Sequence, residues 1–388
     1  MVTRVLRGGA LLLLGTSGAV AARQPPPAAY VWNLPTGFPA PRVPADNPMT
    51  VAKAELGRHL FYDTRLSANG TQSCGHCHQQ AKAFTDGKER AFGSTGDVHP
   101  RNSMSLVNVA YAGALTWANP SLTRLEDQAL VPMFGEHPVE LGWTKPANAL
   151  LDRLKRDRTY QHLFATAFDR TPTAFSIDNV AKAIASFERT IISARSPYDR
   201  YHSDRDNNAI STAARRGETL FFSQPFACFR CHNGFLMGGG ADFEGRERDA
   251  EGSVEFHNTG LYNLAGALSY PPPNTGINEI THRAEDVGKF KAPTLRNIAL
   301  TGPYMHDGSI ATLDDVLDHY AAGGRTIAAG PKQGVGHDNV NKSRSIRGFP
   351  LSADQRADFL AFLNSLTDEA VLHDPRFANP WPPPQETR

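Results

Sequence analysis

The sequence predicts an all-α fold made of two related units with long loops, and three observations predict it. Apolar residues recur at helical spacing, as in Val180, Ile184, Phe187 and Ile191, and again in Phe359, Leu360, Leu363 and Leu366. Alternating strand patterns are scarce, and stretches rich in Gly and Pro, such as 238–240 and 271–273, read as loops. A short block occurs twice, as Gly57-Arg-His-Leu-Phe-Tyr62 and Gly217-Glu-Thr-Leu-Phe-Phe222, each closing an expected helix and each followed by a pair of cysteines. Such self-similarity is the mark of a duplicated unit.

Along the chain, residues 1–22 come first. Arg4 and Arg7 precede the apolar run 10–14, and Ala19-Val20-Ala21-Ala22 then offers small residues for cleavage, so the segment reads as a signal peptide and places the mature protein in the periplasm. A membrane anchor is the alternative, but the run is interrupted by Gly and Ser and falls well short of the ~20 residues a span needs. Residues 23–47 are rich in Pro and Ala and suit an extended or poorly ordered leader. The remaining length supports two domains, expected over 48–205 and 206–388, because Ser196-Pro197 reads as a helix break and 204–208 as a polar run. A formal net charge of +1 implies no nucleic acid or other polyanion partner. After Thr312, the residues Leu313, Val316, Leu317 and Tyr320 fall at i, i+3, i+4 and i+7, which puts Tyr320 on the buried face of a helix. Ser352 and Gln355 form a capping-box pattern at the start of the last periodic stretch.

An exported chain with four cysteines would ordinarily form two disulfides. Here they occur as Cys74-Gly-His-Cys77-His78 and Cys228-Phe-Arg-Cys231-His232, two copies of the C-x-x-C-H motif that attaches c-type haem. Two thiols at this spacing can form thioethers with the porphyrin, and the imidazole that follows can ligate the iron. A four-cysteine zinc site or a redox dithiol would not require His after each pair, and zinc ribbons separate their pairs by ~15–20 residues. Each unit is therefore expected to be a cytochrome c-like haem domain, one built on Cys74, Cys77 and His78 and the other on Cys228, Cys231 and His232.

Several further stretches carry a resemblance. Arg101-Asn102-Ser103-Met104-Ser105-Leu106, Leu125-Glu-Asp-Gln-Ala129, Pro138-Val-Glu-Leu-Gly142, Phe256-His-Asn-Thr-Gly260, Pro293-Thr-Leu-Arg-Asn297 and Thr301-Gly-Pro-Tyr-Met-His-Asp-Gly308 together resemble the bacterial dihaem cytochrome c peroxidase and MauG superfamily. Leu115-Thr-Trp-Ala-Asn-Pro120 and Val131-Pro-Met-Phe-Gly-Glu136 most resemble its MbnH-like branch, associated with copper systems.

The resemblance implies roles for particular residues. It makes Glu140 the acid/base group above a peroxide-binding haem at His78, with Glu136 as the alternative in the same loop and a solvated surface Glu as the bland reading. It makes Tyr320 a second axial ligand to the iron at His232, where the electron-accepting peroxidases have Met; a core Tyr is the alternative. Phenolate is a hard anionic donor that favours oxidised iron. Trp117 resembles an electron relay between the haems, although an isolated Trp is more often core packing. Asn102, Thr301 and Pro303 fall where the family binds Ca²⁺ through oxygen atoms. His306 is expected either to order the region between the haems or to be an ordinary structural His.

Two departures accompany the likeness. His99 lies too close to Asn102 to match the removable distal His of the electron-accepting peroxidases. Phe226 stands where MauG has a surface-directed Trp. The function implied is oxidation of a partner protein by hydrogen peroxide, with Trp converted to kynurenine on an MbnP-like copper-binding protein. The alternatives are a peroxide-scavenging enzyme fed by small redox donors and a plain dihaem electron carrier.

Overall fold

The computed structural model describes residues 28–168, 172–247, 254–265 and 269–382, so the expected signal peptide lies outside the described residues. In chain order the helices are α1 (Val51–Tyr62), α2 (Cys74–Cys77), α3 (Leu125–Phe134), α4 (Asn148–Lys155), α5 (Arg158–Ala167) and α6 (Ile177–Thr190). There follow α7 (Pro197–Ser203), α8 (Thr212–Phe221), α9 (Asn278–Thr281), α10 (Leu313–Ala321), α11 (Ala353–Ser365) and α12 (Glu369–His373). Extended structure among the described residues is slight. Two antiparallel ribbons pair β1 (Phe256–His257) with β2 (Phe290–Lys291) and β3 (Thr326–Ile327) with β4 (Gly334–Val335).

Local chemistry sets the helix ends. Thr50 accepts a hydrogen bond from Lys53 N at the start of α1, Ser176 from Asn179 N at α6, and Ser352 with Gln355 completes the expected capping box at α11. Ser196-Pro197 is a correction. The preceding helix has already ended at Thr190, and Ser196 opens α7 with a capping box to Asp199 and Pro197 in the first turn. Pro suits that position because its missing N–H has no intrahelical partner there.

The duplicated block marks a helix crossing. In the first unit α1 packs across α6, and a Cβ on Gly57 would lie 1.9 Å from Ala183 O and 2.9 Å from Phe187 Cβ. In the second, α8 packs across α11, and a Cβ on Gly217 would lie 2.0 Å from Asp358 O and 2.8 Å from Phe362 Cβ. Gly is what allows the two backbones to touch, and the residues that follow, Leu60 and Phe61 in one unit and Phe221 in the other, fill the core beside the contact.

A second repeat had no place in the sequence reading. Asn108 and Asn297 both adopt left-handed backbone conformations, with φ of 59° and 60°. Asn108 N donates to Ile191 O and its Oδ1 accepts from Ser193 N; Asn297 N donates to Leu366 O and its Oδ1 accepts from Asp368 N. Each Asn thus ties the start of a 3₁₀ turn to the end of the long helix of its own unit. The two systems meet where Asn297 Nδ2 donates to Ser193 Oγ and Asp368 accepts from Ser193 Oγ, Ala194 N and Arg195 N.

Both ends of the described chain cross between units. From residue 28 the leader is extended and pinned: Tyr111 Oη donates to Pro39 O, Arg42 pairs with Asp242 at 2.7 Å, and Phe38 meets Phe235 edge-on. Beyond α11 the chain returns to the first unit, where Tyr62 Oη donates to Phe377 O and Trp381 Nε1 to His59 O.

Substituting Gly217→Ala is expected to destabilise the protein by about 1–3 kcal/mol, because the new methyl group meets a backbone carbonyl instead of a mobile side chain. The thermal midpoint of the purified variant checks this, and an unchanged midpoint would show that α8 and α11 separate without cost.

Candidate active site

The two cysteine pairs are presented in similar ways. Cys74 and Cys77 sit on the single turn of α2, with Ser73 and His76 forming its capping box, while Cys228 opens a 3₁₀ turn that Cys231 closes. His78 N donates to Cys74 O, and His232 N to Cys228 O, which folds each imidazole back beside its cysteines. His78 Nδ1 lies 3.0 Å from Phe84 O, and His232 Nδ1 lies 3.2 Å from Met237 O. A carbonyl only accepts, so both Nδ1 atoms carry the proton and both Nε2 atoms keep a lone pair for a metal. The acceptor residues, Phe84 and Met237, have φ of 60° and 50°, a costly backbone for non-Gly residues that aims each carbonyl at its ring.

Each motif lines a cavity of cofactor size. That beside His78 measures about 760 Å³ and that beside His232 about 1360 Å³. Burial holds His78 below the ordinary His range and brings His232 down to about 4, which keeps both rings neutral. It also pushes up the thiols, Cys77 and Cys228 to about 12 and Cys231 to about 11, and all four cysteines are free of disulfides. Lys291 lines the second cavity with its ammonium buried and, among the described residues, a single hydrogen-bond partner, Ala114 O at 2.9 Å; burial lowers it to about 8. Such a cation suits the propionates that a porphyrin would bring. Paired thiols, a free imidazole nitrogen and a buried counter-charge all fit c-type haem.

In the first cavity, His78, Cys74 and Cys77 share the lining with Glu140, His99, Gln128 and Pro132. The loop carrying Glu140 is held on both sides, as Ser94 N donates to Glu140 O and Leu141 N to Pro132 O. Gly93 permits this approach, since a Cβ there would lie 1.7 Å from Val139 O. Burial raises the Glu140 carboxyl to about 7, and His99 Nε2 stands 3.9 Å from its Oε1. Glu136 is exposed and lies outside the lining.

The second cavity collects the predicted face of α10: Leu313, Val316, Leu317 and Tyr320 all line it with His232. Tyr320 makes no hydrogen bond to a described residue, and burial pushes its phenol well up. Trp117 lines this cavity and also an adjoining one of about 900 Å³ that contains Asn102, Thr301 and Pro303. Its Nε1 donates to Asn102 O and its carbonyl accepts from Lys291 N. Asn102 Nδ2 donates to Lys88 O, and the Thr301 hydroxyl donates to Ile298 O. His306 stacks on Phe290 at 3.6 Å, with Nε2 buried and without a hydrogen-bond partner among the described residues.

A family profile described as di-haem cytochrome c peroxidase matches residues 51–207. The chain is 33% identical to the cytochrome-c peroxidase IdrP1 of a Pseudomonas species, over 92% of this chain and 90% of that one. It is 31% identical to the methylamine utilization protein MauG of Methylorubrum extorquens, over 94% and 93%. The chain belongs to the dihaem cytochrome c peroxidase and MauG family. Among solved structures, a MauG-like protein associated with microbial copper homeostasis superposes with a TM-score of 0.88 at 45% identity, covering 91% of this chain and all of that one.

Membership of this dihaem family makes the protein an oxidoreductase with two haems, and no described helix is long and apolar enough to cross a membrane. Sequence reasoning missed several of its site residues. His99 had been set aside on spacing, yet the bridge between Phe92 and Val98 turns its loop back into the first cavity. Gln128 and Pro132 are one turn apart on α3, a pattern the helical period could have revealed. Glu188 lies one turn beyond Ile184 on α6 and lines the same cavity, with Oε2 buried and without a hydrogen-bond partner among the described residues. A charge on an otherwise apolar stripe was the signal for it.

Burial raises the Glu188 carboxyl from 4.5 to about 8. A raised carboxyl pKa means that folding opposes the charged form, so the penalty is absent below about pH 4.5 and grows until about pH 8. Glu188→Gln is therefore expected to raise the thermal midpoint over the parent at pH 8 and to leave it unchanged near pH 4.5. Equal midpoints at both pH values would refute the burial argument.

Proposed function

We propose that this is a periplasmic enzyme that uses hydrogen peroxide to oxidise a residue on a partner protein, an MbnH-like conversion of Trp to kynurenine on an MbnP-like copper-binding protein. The observation that carries the reading is Tyr320: its phenol lines the second cavity with His232 and makes no hydrogen bond to a described residue. Cys74, Cys77 and His78 would hold the first haem, and Cys228, Cys231 and His232 the second, with Tyr320 as a further ligand. Bound there, the haems supply peroxide reduction and storage of oxidising equivalents.

The chain's own groups provide the rest. Glu140, with its carboxyl raised to about 7, takes a proton from peroxide in the first cavity and returns one to the leaving oxygen. His99 keeps a polar contact on that carboxylate. Trp117, held at both its indole and its carbonyl, lines both the second cavity and the adjoining one and would carry charge between the sites. Asn102, Thr301 and Pro303 would bind Ca²⁺ and stiffen that junction, the amide, hydroxyl and carbonyl oxygens being hard donors. The 45% identity to a MauG-like protein tied to copper homeostasis supports the choice of partner.

The second reading is peroxide scavenging with electrons from small redox proteins, favoured by 33% identity to a cytochrome-c peroxidase. Intact-mass measurement of a co-expressed MbnP-like protein distinguishes the two. The proposal expects the partner to gain oxygen only when peroxide and this enzyme are both present; an unmodified partner, together with rapid turnover on reduced cytochrome c, would favour scavenging. Glu140→Gln is expected to slow the reaction with peroxide by roughly 10²–10⁴-fold. The parent rate should rise with pH through about 7, where the carboxylate forms, and the variant's profile should be flat across that range. Stopped-flow absorbance checks both.

A further inference from the structure

Oxidation of a residue on another protein requires a path for charge from the second haem site to the surface. Phe221, Phe226 and Phe359 wall one side of that site, with Phe362 packed against them, and phenylalanine resists one-electron oxidation; Trp117, Tyr304 and Tyr320 line the cavity elsewhere. Tyr198 on α7 packs against this same cluster, with its ring centroid 5.7 Å from that of Phe362, which in turn lies 5.1 Å from Phe221 on the cavity wall.

The surroundings of Tyr198 differ from those of the other acid-linked tyrosines. Its hydroxyl faces the carboxylate of Glu218 on α8, and that carboxylate lies 2.7 Å from His202 Nε2. His202 is one helical turn beyond Tyr198, its ring 4.5 Å away, and its side chain is 45% exposed. Phenol, carboxylate and imidazole thus form a line that ends in solvent. Tyr160 and Tyr262 donate to carboxylates, those of Asp63 and Asp307. Both are fully buried, and a guanidinium lies over each ring, Arg65 over Tyr160 and Arg325 over Tyr262, which opposes loss of an electron.

We propose that Tyr198 relays oxidising equivalents from the second haem site to the protein surface, with Glu218 as its proton acceptor. The inference rests on the protein-oxidising function proposed above. In the relay step Tyr198 gives one electron to the oxidised haem site, peroxide being the ultimate oxidant. Its O–H bond breaks, the proton bonds to a Glu218 oxygen, and a neutral phenoxyl remains. The phenoxyl then takes one electron from the partner's residue and recovers the proton from Glu218. At rest the phenol stays protonated, since burial and the adjacent Glu218 charge both raise its pKa. Transfer of the proton together with the electron avoids leaving a cationic ring in an apolar cluster.

Freeze-quenched electron paramagnetic resonance of the haem-loaded enzyme, mixed with one equivalent of hydrogen peroxide, tests this. An organic radical that narrows on ring-deuteration of tyrosine is expected in the parent. It should be lost in Tyr198→Phe, where the peroxide-induced change in the haem spectrum should persist several-fold longer. Glu218→Gln retains the ring and should slow radical formation several-fold; haem content and thermal midpoint report whether each variant is folded. The same tyrosyl signal and decay in Tyr198→Phe would overturn the relay alone, whereas a parent enzyme whose haem spectrum does not respond to peroxide would overturn the relay and the proposed function together.

Discussion

The structure depends on a backbone carbonyl aimed at each imidazole that follows a cysteine pair. Phe84 O and Met237 O accept from the Nδ1 of His78 and His232, and this single contact fixes tautomer, ring direction and neutrality. It requires non-Gly residues with left-handed φ at both acceptors, a local cost that the surrounding packing must carry. Phe84 is fully buried and Met237 nearly so, which is how the strained turns are held. The remaining site residues are arranged around two rings placed in this way.

The duplication supplies two equal frames, and the differences between them supply the chemistry. In both frames a Gly lets a long helix cross its neighbour, and an Asn in a left-handed turn ties the end of that helix to the loop before it. On the first frame the loop holding Glu140 closes over the cavity, bringing a carboxyl at about 7 and the His99 ring. On the second, α10 places Tyr320 in the cavity, and Phe221, Phe226 and Phe359 stand in its wall. One cavity thus gathers titratable groups, and the other surrounds a phenol with a largely apolar shell. Trp117 and Lys291 occupy the junction, where a buried cation and a Trp held at its indole and its backbone carbonyl leave little freedom to rearrange.

Much of this was legible in the sequence because it is encoded locally. The cysteine pairs, the repeated Gly block, the capping box at Ser352 and the position of Tyr320 all follow from spacing within one or two helical turns. The expectation for Glu140 came from likeness to a family, because its place depends on Gly93 and the bridge between Phe92 and Val98, a contact between two loops. Ser196-Pro197 was misread because Pro ends a helix that precedes it and starts one that follows, and the residues alone do not say which. His99, Lys291 and the pairing of Tyr198 with Glu218 were illegible for a common reason: each joins segments that only the tertiary fold brings together. The return of the tail to α1 belongs with these, since no local pattern links Trp381 to His59.

The central claim is that each cysteine pair, with its following His, binds one covalent haem. Denaturing intact-mass spectrometry of protein matured with a working cytochrome c assembly system tests it most directly, with the parent beside a variant in which Cys228 and Cys231 are both Ala. The account predicts the polypeptide plus two haems for the parent and plus one for the variant. A parent with the bare polypeptide mass, or a variant that still retains two covalent haems, would contradict it.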